Sequence, residues 1–150
     1  MDVIKRNTDY ALRAVIYLVK SRDKGPISTK EIAQKEGIPY QLACKILQQL
    51  QKKKIIKSTM GSKGGFVLLK KPSKVSLLEV IEAIQGYLTL NRCLVNLSFC
   101  PRKGSCPVSK KLTQLQNNIN NFLGRVKLSS LINVNKKRRK QKGEHYGRTK

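Results

Sequence analysis

Three cysteines stand close together as Cys93-x6-Cys100-x5-Cys106. Soft sulfur donors this near in sequence can converge on one metal centre without a large fold to gather them. Pro101, Gly104 and Pro107 interrupt regular structure, so the trio is predicted to lie on a loop. Thiolates suit zinc and iron–sulfur clusters alike. Structural zinc usually draws on cysteine pairs separated by two to four residues, and the gaps of six and five here fit that poorly. Spacing alone therefore favours iron–sulfur only modestly. Three thiolates leave one cluster ligand to be found, and a weak ligand there is what makes a sensor. The fourth cysteine, Cys44, is far from the trio and reads as a surface or packing position.

The surroundings of this loop are strongly basic. Lys plus Arg number 32 against eight acids, a formal charge of +24. Residues 136–150 hold eight basic residues and one acid, which places +7 there and +17 on residues 1–135. A folded part so charged attracts polyanions and releases counterions on binding. Nucleic acid is the leading partner and an anionic membrane surface the runner-up. The apolar runs are too short for a transmembrane helix, and the N-terminal residues lack the layout of a secretory signal. The expected location is the cytoplasm, where cysteines serve metal or redox chemistry more than disulfides. One histidine, few acids and no nucleophile–base pair leave no catalytic constellation, so the chain is not read as an enzyme.

The elements that must position the loop follow from periodicity and punctuation. Leu12, Val15, Ile16 and Val19 predict a helix over 9–20 with Thr8 as N-cap. Ser28-Thr29-Lys30-Glu31 is a capping box that opens a short helix over 29–35, followed by a turn at Gly37. A second helix runs from Pro39 to about Lys53 with Leu42, Ile46, Leu47 and Leu50 inward. Strands over 55–58 and 66–69 flank Gly61-Ser62-Lys63-Gly64-Gly65. Helix, glycine turn, helix and hairpin is the order of a winged helix-turn-helix. Ser76-Leu77-Leu78-Glu79 caps a helix ending at Gly86. After the cysteine loop, Val108, Leu112, Leu115, Ile119 and Phe122 are spaced 4, 3, 4, 3 on a helix that starts at Pro107. That is a heptad seam flanked by Gln and Asn. It could pack on its own domain, but a two-helix seam is favoured because DNA-binding modules of this size pair to read two half-sites. Val126, Leu128, Leu131 and Ile132 are expected to pack back in one last turn.

With these pieces placed, residues 9–132 resemble the Rrf-two family of bacterial winged-helix regulators. The marks are Thr8-Asp9-Tyr10-Ala11-Leu12-Arg13, Ile32-Ala33, Gly37-Ile38-Pro39, Lys45-Ile46-Leu47 with Leu50, Gly61-x-x-Gly64-Gly65-Phe66-x-Leu68, Glu79-Val80-Ile81 and the three cysteines. The resemblance implies a homodimer with crossing C-terminal helices, wings that reach the minor groove, and an iron–sulfur cluster, 4Fe–4S or 2Fe–2S, on Cys93, Cys100 and Cys106. This chain departs from the pattern in three places. Cys44 stands where IscR-like members have an acid in the recognition helix, Met60 where the wing often has Arg, and Ser109 where IscR-like members have a fourth-ligand His. The single histidine, His145, is in the tail. Asp9 matches an aspartate that, in NsrR-like members, reaches from the partner subunit to complete the cluster. Its other reading is an acid favoured by the macrodipole in the first turn of a helix.

The fold class expected is mainly α, a winged helix-turn-helix with a long C-terminal dimerisation helix. Its parts are a DNA-binding domain over 1–86, a cluster-binding loop over 87–106, a dimerisation helix and closing turn over 107–134, and a basic disordered tail over 135–150. Charge and resemblance assign double-stranded DNA contacts to Tyr40, Gln41, Lys45 and Gln48 on the recognition helix, to Ser28 and Thr29 at a helix N-terminus, and to Lys63 on the wing. The function expected is a transcriptional repressor switched by a cluster that senses nitric oxide, redox or iron status. The alternative is a regulator of the same fold without a cluster, using thiols, a small molecule or a protein partner as signal.

Overall fold

The computed structural model describes residues 3–94, 102 and 105–132. Five helices and one hairpin carry the architecture: α1 (Arg6–Lys20), α2 (Thr29–Glu36), α3 (Tyr40–Lys52), β1 (Ile56–Thr59), β2 (Gly65–Leu68), α4 (Leu77–Gln85) and α5 (Pro107–Arg125). Short 3-10 turns occupy Arg22–Lys24, Pro72–Lys74 and Arg92–Leu94, and a further helical turn covers 128–132. This is a mainly α winged helix, as the sequence predicts. Among the described residues no helix is long and apolar enough to cross a membrane.

The core is aliphatic. Ile32, Ile46, Leu47, Leu50, Ile55, Ile56, Val80 and Leu128 are all essentially inaccessible. α1 lies at the centre and packs on α2, α3 and α4. Its buried stripe is Thr8, Ala11, Ala14, Val15, Leu18 and Val19, so the helix is rotated from the predicted face and Leu12 and Ile16 are only half-buried. Small alanines on the inner face let three helices approach α1 at once, which a count of large apolar residues does not detect. α1 also starts three residues earlier than predicted, with Lys5 at the N-cap and no side-chain cap bond. Thr8 is thus inside the first turn, and its hydroxyl donates across the fold to Gln85 Oε1 (2.7 Å).

Ser28 and Ser76 cap α2 and α4 as expected, each accepting the amide of the residue three ahead, at 3.2 and 3.1 Å. The return halves of the two boxes do other work. The Glu31 carboxylate accepts from the Tyr17 hydroxyl (2.8 Å), joining α1 to α2. That bond, with lesser burial, holds the Tyr17 hydroxyl above its ordinary range. The Glu79 carboxylate pairs with Lys70 (2.7 Å), joining α4 to the strand exit.

β1 and β2 pair antiparallel with Ile56 opposite Leu68 and Thr59 opposite Gly65, each strand displaced by one residue toward the turn relative to the predicted 55–58 and 66–69. Ile27 adds a third rung, exchanging both backbone bonds with Phe66 (3.0 and 2.8 Å). Gly65 permits this. Its φ is +156°, and a Cβ there would lie 2.4 Å from the Ile27 carbonyl oxygen. A side chain at 65 would therefore push the hairpin off the body. The C-terminal segment is sewn to the same body: the Leu77 amide donates to Val126 O (2.8 Å), the Leu128 amide donates to Val75 O (3.0 Å), and the Leu128 side chain is fully buried.

Candidate nucleic-acid interface and cysteine loop

The side chains assigned to DNA are brought to the surface. On α3, burial of Ala43, Ile46, Leu47 and Leu50 turns Gln41, Lys45 and Gln48 outward, all exposed. They sit at i, i+4 and i+7 and so share one face. Tyr40 opens the helix and is 57% exposed. Amide and ammonium groups in this row match adenine and guanine edges in a major groove. Cys44, half-buried, lies one turn on from Tyr40. The neighbouring Cys44 side chain, first as a hydrogen-bonding group and then by its charge, raises the Tyr40 pKa above its ordinary value.

The α2 N-terminus presents Ser28 and Thr29, exposed and half-exposed. Its first-turn amides have no intrahelical acceptor and favour an anion such as phosphate. The wing turn closes with the Gly64 amide donating to Gly61 O (2.9 Å), leaving Lys63 exposed and Met60 wholly so. Of the wing glycines, Gly61 has open space beside it, whereas Gly64 and Gly65 face the chain's own backbone. Their glycine character serves the hairpin as much as any approach to DNA. α2 and α3 are keyed to α1 by Arg13. Its guanidinium donates to the Glu36 carbonyl and lies 3.6 Å from the Glu36 carboxylate, at the turn that separates α2 from α3.

The cysteine loop is anchored at its described ends. Cys93 falls in the Arg92–Leu94 turn, and Cys106 immediately precedes α5 and makes no side-chain cap bond. Both are free thiols and half-exposed. Cys100 lies outside the described residues, as do His145 and the basic tail of 135–150. Among the described residues no group of three His, Cys, Asp or Glu side chains is gathered as a metal site. Within one chain, Asp9 is therefore not assembled with Cys93 and Cys106; it is exposed on the first turn of α1. Ser109 is buried, at the position where IscR-like members have their histidine.

Two glutamines that sequence reasoning passed over hold the loop root. Gln116 Nε2 donates to Leu88 O (2.8 Å), and the Leu90 amide donates to Gln116 Oε1 (2.8 Å). Gln116, which the sequence places among the Gln and Asn flanks of the seam, is buried. Its sole sequence signal is its place on the inner face of α5. Gln85 Oε1 accepts from the Lys5 amide (3.1 Å) and from Thr8, while Gln85 Nε2 donates to Val3 O (3.0 Å). No local signal could reveal partners about eighty residues away.

On an adjoining face of α5, about a quarter turn from Gln116, Val108, Leu115 and Phe122 are 62%, 48% and 67% exposed. Leu112 and Ile119, between them in the seam, are half-buried.

Comparisons agree with this geometry. A family model described as Rrf2, iron-dependent transcriptional regulator, matches residues 4–134. The transcriptional repressor NsrR of Streptomyces coelicolor is 30% identical over 110 residues, 73% of this chain and 74% of that protein. The transcriptional regulator IscR of Escherichia coli is 25% identical over 124 residues, 83% of this chain and 76% of that one. The structure of CymR, the global cysteine regulator of B. subtilis, superposes with a TM-score of 0.75 at 23% identity, covering 89% of this chain and 98% of that chain; this likeness bears on the fold. The winged helix and the match of the family model over nearly the whole chain lead to one conclusion: the protein belongs to the Rrf2 family of transcriptional regulators.

Proposed function

We propose that this regulator is a homodimeric repressor whose affinity for double-stranded DNA is switched by an iron–sulfur cluster on Cys93, Cys100 and Cys106, completed by Asp9 of the partner subunit. The observation that carries the reading is the state of the donors. Cys93 and Cys106 are free, half-exposed thiols at the two ends of a pinned loop, and Asp9 is exposed on the helix that keys the reading helices. A set of three soft thiolates with one hard carboxylate fits a cluster with one labile position. When bound, such a cluster supplies sensitivity to nitric oxide, oxygen or iron supply. The chain's own part is mechanical. Asp9 ties the first turn of α1 to the partner's loop, and Arg13 carries the position of α1 to the α2–α3 turn. DNA contacts fall to Tyr40, Gln41, Lys45 and Gln48 in the major groove, and to Ser28, Thr29 and Lys63 on phosphates. In this reading residues 1–86 bind DNA, 87–106 hold the cluster, 107–134 dimerise, and 135–150 add a basic tail.

A second reading keeps the fold and uses the thiols themselves as the signal. It is favoured by the free, half-exposed thiols of Cys93 and Cys106. Anaerobic purification separates the two. Coloured protein holding iron and sulfide is expected, and Asp9→Ala is expected to lose iron to a chelator about tenfold faster. Colourless wild-type protein would sink the cluster reading; an Asp9→Ala spectrum and loss rate equal to wild type would remove Asp9 from the ligand set.

A further inference from the structure

α1 lacks a cap of its own. Lys5 stands at its N-cap with no side-chain bond, and the start of the helix is fastened from elsewhere in the fold. Gln85, the last residue of α4, accepts from the amide of the N-cap residue Lys5 and from the Thr8 hydroxyl and donates to Val3 O, while the Thr8 and Asp9 amides donate to Lys5 O. Gly86, with φ +79°, turns the chain into the cysteine loop directly after it. Thr8 has no accessible surface, and Asp9 follows it. The start of the helix that carries Arg13 is thus fastened from the root of the loop, and Gln116 holds the next residues of that root, Leu88 and Leu90, on α5.

We propose that Gln85 is a positioning residue that transmits the placement of the loop root to α1, and through Arg13 and Glu36 to the recognition helix. The inference deepens the proposed switch and rests on it for its biological sense, but not for its test. A displaced root withdraws the amide of Gln85 from three backbone and side-chain groups at once, and the first turn of α1 frays. A root held by Gln116 keeps that turn formed. Two states with different contacts are what a coupling requires.

The test is a double-mutant cycle on the full chain without metal, read by amide hydrogen exchange at Thr8–Ala11. Gln116→Met loosens the root without touching α1. With Gln85 present it should speed exchange in the first turn of α1 by about fivefold. Gln85→Met should speed it by about tenfold, and Gln116→Met should then add almost nothing. Gln85→Glu keeps both acceptor bonds and should restore most of the protection. Exchange at Leu47 and Leu50 reports whether each variant is folded, and Thr8→Val, which removes the Thr8–Gln85 bond from the other side, takes the place of Gln85→Met in the cycle if that variant is not. An α1 unmoved by Gln116→Met, or effects of the two substitutions that simply multiply, would overturn the coupling. Because the cycle needs no cluster, wild-type protein that binds no iron would sink the cluster reading and leave this result standing.

Discussion

Substituting Leu115→Glu and Phe122→Glu together is expected to give a folded monomer whose affinity for a two-half-site DNA falls by about a hundredfold or more. Both side chains lie on the exposed face of α5 with Val108. This face runs along a helix of 19 residues, about 28 Å at 1.5 Å per residue. Each such apolar side chain contributes about 1.5–3 kcal/mol when fully buried. In a two-fold interface every substitution counts twice, and the carboxylates would meet their own copies. Neither side chain supports the core, so helicity and melting should stay near wild type. Sedimentation at micromolar concentration reads the outcome. A dimer that survives both substitutions would place the interface elsewhere.

Cys106→Ala is expected to abolish iron binding while leaving the metal-free protein as stable as wild type, within about 0.5 kcal/mol. The two effects separate because Cys106 precedes α5 without capping it and its side chain is half-exposed. Its sulfur makes no cap bond to α5, whereas a cluster holder with two thiolates in place of three loses its grip. Iron content by colorimetry and a thermal melt decide the matter. Iron retained at the wild-type level would remove Cys106 from the ligand set, and a large drop in melting temperature would make it a structural residue.

Much of the fold is legible in the sequence because local chemistry marks it. Ser28 and Ser76 announce two helix starts, Gly37 announces the turn between α2 and α3, and Gly61 to Gly65 announce the wing. The exposed row of Gln41, Lys45 and Gln48 follows from the buried stripe opposite. What escapes is whatever depends on distant partners. The rotation of α1 is set by Ala11 and Ala14, whose smallness matters only because three helices converge there. Glu31 and Glu79 complete a local motif on paper, yet Tyr17 and Lys70 claim their carboxylates. Gln85 and Gln116 look like ordinary polar helix residues until the fold carries them to the loop root. The third rung at Ile27 is invisible for the same reason, although Gly65 marks the spot where it approaches.

The central claim is that cluster occupancy sets DNA affinity. The direct measurement is the dissociation constant of anaerobically purified wild-type protein for one promoter fragment, before and after the metal is removed, at a single fixed salt concentration. Counterion release would otherwise mask the difference. In the proposed switch a tie from Asp9 to the partner's loop would hold α1 and the recognition helix in place, so the loaded form should bind more tightly, by about tenfold or more, or roughly 1.4 kcal/mol of coupling. Equal dissociation constants for the two forms, or wild-type protein that holds no iron to remove, would contradict it.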